Sequence, residues 1–212
     1  CNLERRTFVK KASLGAAALA YGKKLFWKDA FLGHRTEQSL TRTSLQLAEQ
    51  IVAHLLEHKV CGVAYGRAEF GPRALGNRSL IADPRGPDMK DKVNEIKRRQ
   101  KFRPFAPAVL EEHAHKYFEP NVTTPYMQHV VNGTKPTLKD LPAIVHEDGS
   151  CRVQTINKFE KSIFRQVLEL WYKETGCPVL LNTSLNIRGE PMVNTVEDAW
   201  RFEEKYDVKV FY

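Results

Sequence analysis

Apolar residues recur at helical spacing in several segments of the chain. Residues 43–58 place them on a single stripe, with Thr43 or Ser44 positioned as the N-cap. Residues 162–175 repeat the pattern and stop at Gly176, a residue type that often ends helices in the left-handed conformation. Two further segments, residues 88–99 and residues 195–204, are also predicted to be helical.

Short apolar runs bounded by turn residues predict strands. They cover residues 60–65, 102–110, 126–131, 178–181 and 208–211, while residues 138–141 are expected to be connecting chain. Residues 143–145 and 151–156 flank an Asp-Gly pair at Asp148 and Gly149, which predicts a β-hairpin. Strands and helices mix without a strict βαβ repeat, so the predicted fold class is α/β or α+β with a twisted sheet.

The composition is that of an ordinary globular protein with an excess of positive charge. The 212 residues include 42% hydrophobic and 27% charged residues, enough for one sizeable domain or a domain with an appendage. The net charge of +8 suits nucleic acid, an acidic membrane surface or small anionic substrates. Because the basic residues are spread among predicted loops and not gathered in one tail, the distribution favours pockets for small anions.

The cysteines and the N-terminus bear on the cellular compartment. The four cysteines are widely spaced without a Cys-x-x-Cys pair, which argues against a zinc site or a disulfide framework and favours buried thiols and a cytoplasmic location. Arg5 and Arg6 head a segment that resembles a twin-arginine export signal, but its apolar stretch is short and lacks a convincing cleavage site. Without a run of about 20 apolar residues, no membrane span is expected.

The segment from Gly66 to Ser79 has the composition of an anion-binding loop. Its arginines, Arg67, Arg73 and Arg78, are interleaved with glycines, and no apolar period assigns them to a helix or strand face. Glycine lets the backbone approach a ligand, and the planar guanidinium group fits phosphate or carboxylate. A solvated basic turn would also explain the pattern.

A second cationic segment, residues 97–107, lies where a predicted helix ends and a strand begins. Lys97 and its neighbours would also serve as favourable charges at the helix C-terminus. Arg103 differs from them because it lies between Phe102 and Pro104, which restrict its movement. A restrained guanidinium group is what phosphate or carboxylate recognition requires.

Short polar side chains follow a predicted strand near the C-terminus. Asn182, Ser184 and Asn186 can orient a neutral planar group such as a carbamate, or a ribose hydroxyl, although a helix cap or an Asx turn would also explain them. In the predicted hairpin, strand alternation places Arg152 and Gln154 on one face, which would either line a pocket or face solvent.

The residue pattern gives no sign of covalent or metal-assisted catalysis. The sequence shows no Cys/His nucleophile pair and no histidines at metal-ligand spacing, and His113 and His115 fit a solvated helical turn. Glu69 is expected to pair with an arginine rather than with Mg²⁺. Catalysis would then depend on positioning and charge neutralisation, which suits attack on an activated phosphate.

Four long motifs, in order along the chain, resemble the C-terminal domain of the NodU/TobZ-type O-carbamoyltransferases. They read GRAEFGPRALGNRSLIADPR, KDKVNEIKRRQKFRPFAPAVL, HEDGSCRVQT and PVLLNTSLNIRGEPMVNT. The resemblance covers residues 60–212 and implies a YrdC-like fold, a twisted mixed sheet with flanking helices. It also implies that residues 41–212 are this domain and that residues 1–40 are a remnant of the preceding N-terminal domain and a linker.

The resemblance further implies a reaction. The C-terminal domain would combine ATP and carbamoyl phosphate, with Mg²⁺, into carbamoyl-adenylate. The N-terminal catalytic domain, which would hold an iron-type metal, would move the carbamoyl group to a hydroxyl of a small molecule. Arg73, Lys97 and Arg103 would be catalytic. The substrate-binding or nucleotide-binding residues would be Arg67, Asn77, Arg78, Ser79, Arg152, Asn182, Ser184 and Asn186.

Two other functions are compatible with the sequence. A threonylcarbamoyl-adenylate synthase of the wider YrdC group would use bicarbonate and threonine in place of carbamoyl phosphate. A basic RNA-binding module would present a broad positive face with aromatic stacking platforms, whereas the aromatic residues here lie mostly at core-periodic positions. We therefore expect small-molecule substrates, with neither nucleic acid nor a membrane as partner.

Overall fold

The structure, a computed structural model, describes residues 37–212, with side chains from Ser44 onward. The export-like segment and nearly all of the expected remnant at residues 1–40 lie outside the described residues, so both stay predictions. Residues 43–212 form one compact unit. No helix within residues 37–212 is both long and apolar enough to cross a lipid bilayer.

Six helices and nine strands make up the described part of the chain. The helices are α1 (Glu37–His58), α2 (Met89–Ile96), α3 (Ala114–Tyr117), α4 (Lys135–Asp140), α5 (Ile163–Thr175) and α6 (Val196–Tyr206). The strands are β1 (Val60–Ala64), β2 (Arg78–Ala82), β3 (Ala106–Leu110), β4 (Phe118–Glu119), β5 (Val130–Gly133), β6 (Ser150–Arg152), β7 (Gln154–Ile156), β8 (Val179–Ser184) and β9 (Val210–Phe211). Short 3₁₀ helices occur at Glu111–His113 and Pro142–Ile144.

The strands form two sheets. The larger has the order β7-β3-β8-β2-β1-β9 and mixes parallel with antiparallel pairs, and the smaller is the antiparallel set β4-β5-β6. On one face of the larger sheet, α1 and α5 pack through Leu55, Phe164 and Trp171. The second apolar cluster includes Val93 of α2 and Phe202 of α6 and extends to the smaller sheet. The predicted mixed sheet with flanking helices is confirmed.

The two apolar clusters lie on opposite faces of the larger sheet. Consecutive residues of β8 show this, since Leu180 belongs to one cluster and Leu181 to the other. The thiols of Cys61, Cys151 and Cys177 are free and buried in these clusters, as the sequence predicts. The core is therefore a three-layer arrangement of helices, sheet and helices.

Helix ends follow the local sequence signals in α5 and α6, whereas the N-cap predicted at Thr43 or Ser44 is wrong, because α1 already begins at Glu37. Ser162 Oγ accepts a hydrogen bond of 3.1 Å from the backbone N–H of Arg165 at the start of α5, and Gly176 ends that helix with a φ of +71°. Thr195 begins α6 in a capping box with Asp198. Both helix predictions are confirmed. Each signal involves residues within one turn, so it can be identified from the local sequence.

Other local predictions are wrong. Residues 143–156 form no hairpin, because β6 pairs with β5 in the smaller sheet while β7 pairs with β3 in the larger one. Residues 138–140, expected as connecting chain, belong to α4. β2 has no counterpart among the predicted strands, since all five of its residues are buried and its sequence shows no polar alternation.

Candidate anion-binding site

Four sequence motifs meet at one end of the larger sheet. β1 ends and β2 begins there, with Ala64 paired to Arg78. The last residue of β8, Ser184, pairs with Ser79 at the same end. β3 runs antiparallel to β8 and parallel to β7, so the first residues of β3 and β7 also lie there. The strand register thus gathers segments that are far apart in sequence.

The basic segment after α2 begins with a sharp helix end. Arg98 adopts a left-handed conformation with a φ of +50°. The N–H of Arg99 donates to the Asn94 carbonyl at 3.0 Å, the Schellman pattern of a helix C-terminus. Arg98 stays exposed, with its guanidinium carbon 5.3 Å from the centre of the Tyr206 ring. Lys97, on the other side of Arg98, is buried.

Lys97 is held entirely by neutral oxygen atoms. The side chain is only 5% exposed. Its Nζ donates to the Ser184 carbonyl at 2.6 Å, to Ser184 Oγ at 3.1 Å and to Asn186 Oδ1 at 3.2 Å. Burial, followed by the charge of Arg99, lowers the pKa of Lys97 to about 7. The hydrogen-bond partners of Lys97 therefore supply no negative charge to compensate its ammonium group.

Arg99 lies half-buried between a hydrogen-bond partner and an aromatic ring. Its Nε donates to Asn94 Oδ1 at 2.6 Å, and its guanidinium carbon is 4.2 Å from the centre of the Phe105 ring. Burial, followed by the charges of Arg103 and Arg152, lowers the pKa of Arg99 to about 10. Like charges shift one another only at short range, so guanidinium groups from two separate segments converge here.

Arg152 connects these cations to residues 66–79, which we call the arginine-rich loop. Burial, followed by the charge of Arg73, lowers the pKa of Arg152. Its Nε is buried and has no hydrogen-bond partner among the described residues. Within that part of the chain, no carboxylate contributes to the pKa shifts of Lys97, Arg99 or Arg152. We refer to the following five residues as the cation cluster: Arg73, Lys97, Arg99, Arg103 and Arg152.

The arginine-rich loop is shaped by two of its own charged residues. Glu69 Oε1 accepts hydrogen bonds of 2.7 Å from the N–H groups of Leu75 and of Asn77, and its charge also opposes the lowering of the Arg78 pKa by burial. Arg78 is 3% exposed, and its terminal nitrogens donate to the backbone carbonyls of Tyr65, Gly66, Asn77 and Asn194. Arg78 therefore has no terminal donor directed at a ligand, contrary to the expectation, and we assign it to the loop.

Side-chain amides fasten the loop to the sheet next to Arg73. Asn182 Nδ2 donates to the Ala74 carbonyl at 3.1 Å and to Gln154 Oε1 at 2.8 Å. Gln154 Nε2 donates in turn to the Leu75 carbonyl at 2.9 Å. The two residues that follow Arg73 are therefore fixed, and Asn182, predicted to orient a substrate, supports the loop in this structure.

Gly76 allows the same loop to pack directly on α5. Its φ is +128°, a value that residues with a side chain rarely adopt. A Cβ atom at this position would lie 2.5 Å from Cδ1 of Phe164, closer than van der Waals contact permits. The loop can therefore sit this low on the helix only with glycine here.

The other predicted residues have different surroundings. Arg67 is exposed, and its carbonyl accepts a hydrogen bond of 2.8 Å from Asn77 Nδ2. Ser79 is fully buried within β2, and its Oγ has no hydrogen-bond partner among the described residues. Within residues 44–212, no hydrogen bond links the side chain of Arg67, Asn77 or Ser79 to the cation cluster.

Arg99 and Asn94 are absent from the set predicted from the sequence. The signal for Arg99 is its position two residues after Lys97 at a helix end, where the Schellman turn sends the residue between them outward. Asn94 could have been noticed as a polar residue next to Val93 on a helix whose buried residues are otherwise apolar. In both cases the sequence spacing is informative only once the helix end is known.

Comparison with known proteins agrees with the motifs. The family model described as carbamoyltransferase C-terminus matches residues 52–212. Nodulation protein NolNO of Sinorhizobium fredii is 43% identical over 157 residues, 72% of this chain and 23% of that protein. Nodulation protein NolO of Bradyrhizobium diazoefficiens is 46% identical over 144 residues, 66% of this chain and 26% of that protein. Nodulation protein U of Rhizobium tropici is 48% identical over 125 residues, 58% of this chain and 22% of that protein.

A solved structure shares the fold. Full-length HypF, in its phosphate- and nucleotide-bound form, matches 75% of this chain and 20% of its own, with a TM-score of 0.51 and 16% identity. The chain spans about a quarter of the length of the curated relatives. The family model covers the whole cation cluster and more than half of the sequence, so this chain belongs to the carbamoyltransferase C-terminus family.

Proposed function

We propose that this domain binds ATP and carbamoyl phosphate at the cation cluster and joins them into carbamoyl-adenylate. In the longer protein, an N-terminal catalytic domain would then transfer the carbamoyl group to a hydroxyl of a small-molecule acceptor. The observation that supports the proposal is the convergence of five cations from separate segments, the more buried of which have no carboxylate partner within residues 44–212. Membership of the carbamoyltransferase C-terminus family agrees with it.

The electrostatics favour an anion with several charged oxygens. Cations that are partly withdrawn from water repel one another, and a phosphate group between them converts that repulsion into attraction. Guanidinium groups bind phosphate through paired hydrogen bonds, so the arginines of the cation cluster suit a phosphate group. Both carbamoyl phosphate and the triphosphate of ATP have the required charge.

The proposed reaction replaces two phosphate linkages and consumes one water molecule. Water releases phosphate from carbamoyl phosphate and leaves carbamate. A carbamate oxygen then attacks the α-phosphorus of ATP, the bond from that phosphorus to the bridging oxygen breaks, and pyrophosphate departs. The cation cluster would neutralise the negative charge that develops on the leaving groups. Ser184 and Asn186, next to Lys97, would orient the neutral carbamoyl group.

Mg²⁺ would enter the site on the phosphates of the nucleotide. Within the described residues, no group of three or more His, Cys, Asp or Glu side chains could hold a metal ion. Mg²⁺ commonly binds substrate phosphates and keeps several water ligands, so the proposal does not need such a group. The protein's own contribution is then to position the phosphates.

The test is pyrophosphate formation from ATP, Mg²⁺ and carbamoyl phosphate. We expect Arg103→Ala to reduce the rate by about 100-fold, because a positioned cation stabilises the developing charge. Arg98→Ala is the matched control, since Arg98 is an exposed arginine of the same segment like Arg103, but it lies against Tyr206 and does not contribute to the pKa shift of Arg99. No pyrophosphate from the wild-type domain, or equal rates in the two variants, would contradict the proposal. Pyrophosphate formed only with bicarbonate and threonine would identify a threonylcarbamoyl-adenylate synthase instead.

A further inference from the structure

Asn94 is fully buried in α2 and directs its entire amide group at the basic segment. Its exposed fraction is 0%. Nδ2 donates to the carbonyls of Lys101 at 3.0 Å and Arg103 at 2.8 Å, and Oδ1 accepts from Arg99 Nε at 2.6 Å. All three hydrogen bonds of this side chain therefore go to residues 99–103.

The backbone of Asn94 reinforces the same connection. Its carbonyl accepts the Schellman hydrogen bond from Arg99, so Asn94 contacts the segment at its beginning and at its end. The helix that carries Asn94 is itself anchored, because Met89 and Val93 are buried in the apolar cluster beneath the sheet. Arg99 and Arg103 are thereby positioned relative to the core.

The remaining polar restraints on residues 99–103 are fewer: Arg99 Nη2 donates to the Pro104 carbonyl at 3.3 Å, and the N–H of Arg103 donates to the Gln100 carbonyl at 3.2 Å. Lys101 forms an ion pair of 2.7 Å with Glu95, but both side chains are more than half exposed, and such pairs contribute little. Phe102 is 64% exposed and is absent from both core clusters. The buried amide of Asn94 is thus the main polar contact that fixes the course of the segment.

We infer that Asn94 is a positioning residue of the anion site, holding Arg99 and Arg103 where they bind phosphate together without contacting the ligand itself. The identity of the ligand rests on the proposed function, whereas the placement of the segment rests on the three hydrogen bonds. Without Asn94 the segment would have to be ordered when the anion binds, and that lost entropy weakens binding. The side chain would therefore determine affinity through preorganisation.

The test compares two isosteric replacements of fully buried polar residues. Asn94→Leu removes the three hydrogen bonds, and Thr137→Val, the control, removes a hydrogen bond of 2.5 Å to the Tyr117 carbonyl in α4. We expect Asn94→Leu to raise the Kd for pyrophosphate by about tenfold, because residues 99–103 must then be ordered when the anion binds. Thr137→Val should lower the thermal midpoint but leave the Kd unchanged. Isothermal titration calorimetry measures the Kd, and thermal denaturation measures the midpoint.

A second measurement does not depend on any ligand. Trypsin can cleave after Lys101 but not after Arg103, which precedes a proline, so the Lys101–Phe102 bond reports the order of the segment. Cleavage there should be faster in Asn94→Leu than in Thr137→Val or wild type. Equal cleavage rates, or an equal loss of affinity in Thr137→Val, would overturn the role of Asn94. Failure of the wild-type domain to bind pyrophosphate would instead refute the proposed function.

Discussion

Two arginine side chains of this domain are withdrawn from water in opposite electrostatic surroundings. Arg165 on α5 donates to Glu112 at 2.6 Å and to Glu169 at 2.8 Å, and the bond to Glu112 contributes most to raising its pKa. Arg99 has only neutral hydrogen-bond acceptors and other cations around it, and burial together with those charges lowers its pKa to about 10. The chain therefore compensates one buried guanidinium group and leaves the other without a counter-charge.

On the proposed function, the difference separates a charge that serves the fold from a charge that binds a ligand. Burying a charge lowers stability unless a partner compensates it, so an uncompensated cation is retained for another reason. In the cation cluster the missing partner would be the substrate phosphate. Around Arg165 the carboxylates already supply it, and that region needs no ligand to be complete.

Among the substitutions that test this comparison, the largest change in anion affinity is expected at Arg99. Arg99→Leu should raise the Kd for pyrophosphate by about 100-fold, through the loss of a charge-assisted phosphate contact. The free energy of unfolding should change little, because the loss of repulsion with Arg103 and Arg152 offsets the loss of the hydrogen bond to the buried Asn94 Oδ1. Titration calorimetry and urea denaturation measure the two quantities. A less stable variant that binds normally would refute the distinction.

Arg165→Leu should give the opposite result. We expect the free energy of unfolding to fall by about 2–3 kcal/mol, because the carbonyl of Ile156 and two partly exposed carboxylates lose their donor. The Kd for pyrophosphate should not change. The same urea and calorimetry experiments apply, and weakened binding at unchanged stability would contradict the assignment of Arg165 to the fold.

The pH dependence sharpens the comparison through Lys97. The folded pKa of about 7 lies below the ordinary value of 10.5, so Lys97 of the folded domain loses its proton above neutral pH. Between these values the unfolded chain binds more protons than the folded one, and the contribution of Lys97 to stability rises with pH. Anion binding should move in the other direction, weakening by up to about tenfold per pH unit above pH 7.

Sulfate is a suitable probe for this effect because it does not titrate in that range. Its Kd, measured by calorimetry from pH 7 to pH 9, should rise steadily for the wild-type domain. Lys97→Met should bind more weakly overall and show little of the pH dependence. An unchanged slope in that variant would mean that another group is responsible.

The smallest effect is expected at Arg98, the exposed neighbour of the cation cluster. Arg98→Gly should stabilise the domain by about 0.5–1 kcal/mol, because glycine adopts the left-handed conformation of this turn without strain. Loss of the contact with Tyr206 would offset part of that gain. The Kd for pyrophosphate should stay within twofold of the wild type, and a larger increase would place Arg98 in the site.

Local signals were sufficient for those parts of the fold that depend on a single turn. Ser162, Gly176 and Thr195 mark helix ends correctly, because capping involves residues within three or four positions of each other. The basic segment and the polar end of β8 were also identifiable as candidate binding regions, since their residue types alone suggest anion recognition.

Strand pairing was beyond the reach of the same reasoning. The turn at Asp148 and Gly149 suggested a hairpin, yet β6 and β7 find partners in different sheets, a choice made by long-range contacts. Arg78 has the same chemical appearance as Arg73, and only its position at the start of a fully buried strand explains why its donors bind backbone carbonyls. The role of Asn94 likewise depends on a loop geometry that no spacing reveals.

The contact between Gly76 and Phe164 makes the geometry of the cation cluster depend on a residue without a side chain. The aromatic ring acts as a floor that sets the height of the loop above α5, and a single added methyl group would lift the loop from it. Arg73 would move with the loop and separate from Arg152, although no charged residue had been substituted. Gly76→Ala should thus weaken anion binding by moving the loop, although Gly76 has no side chain that could contact the anion.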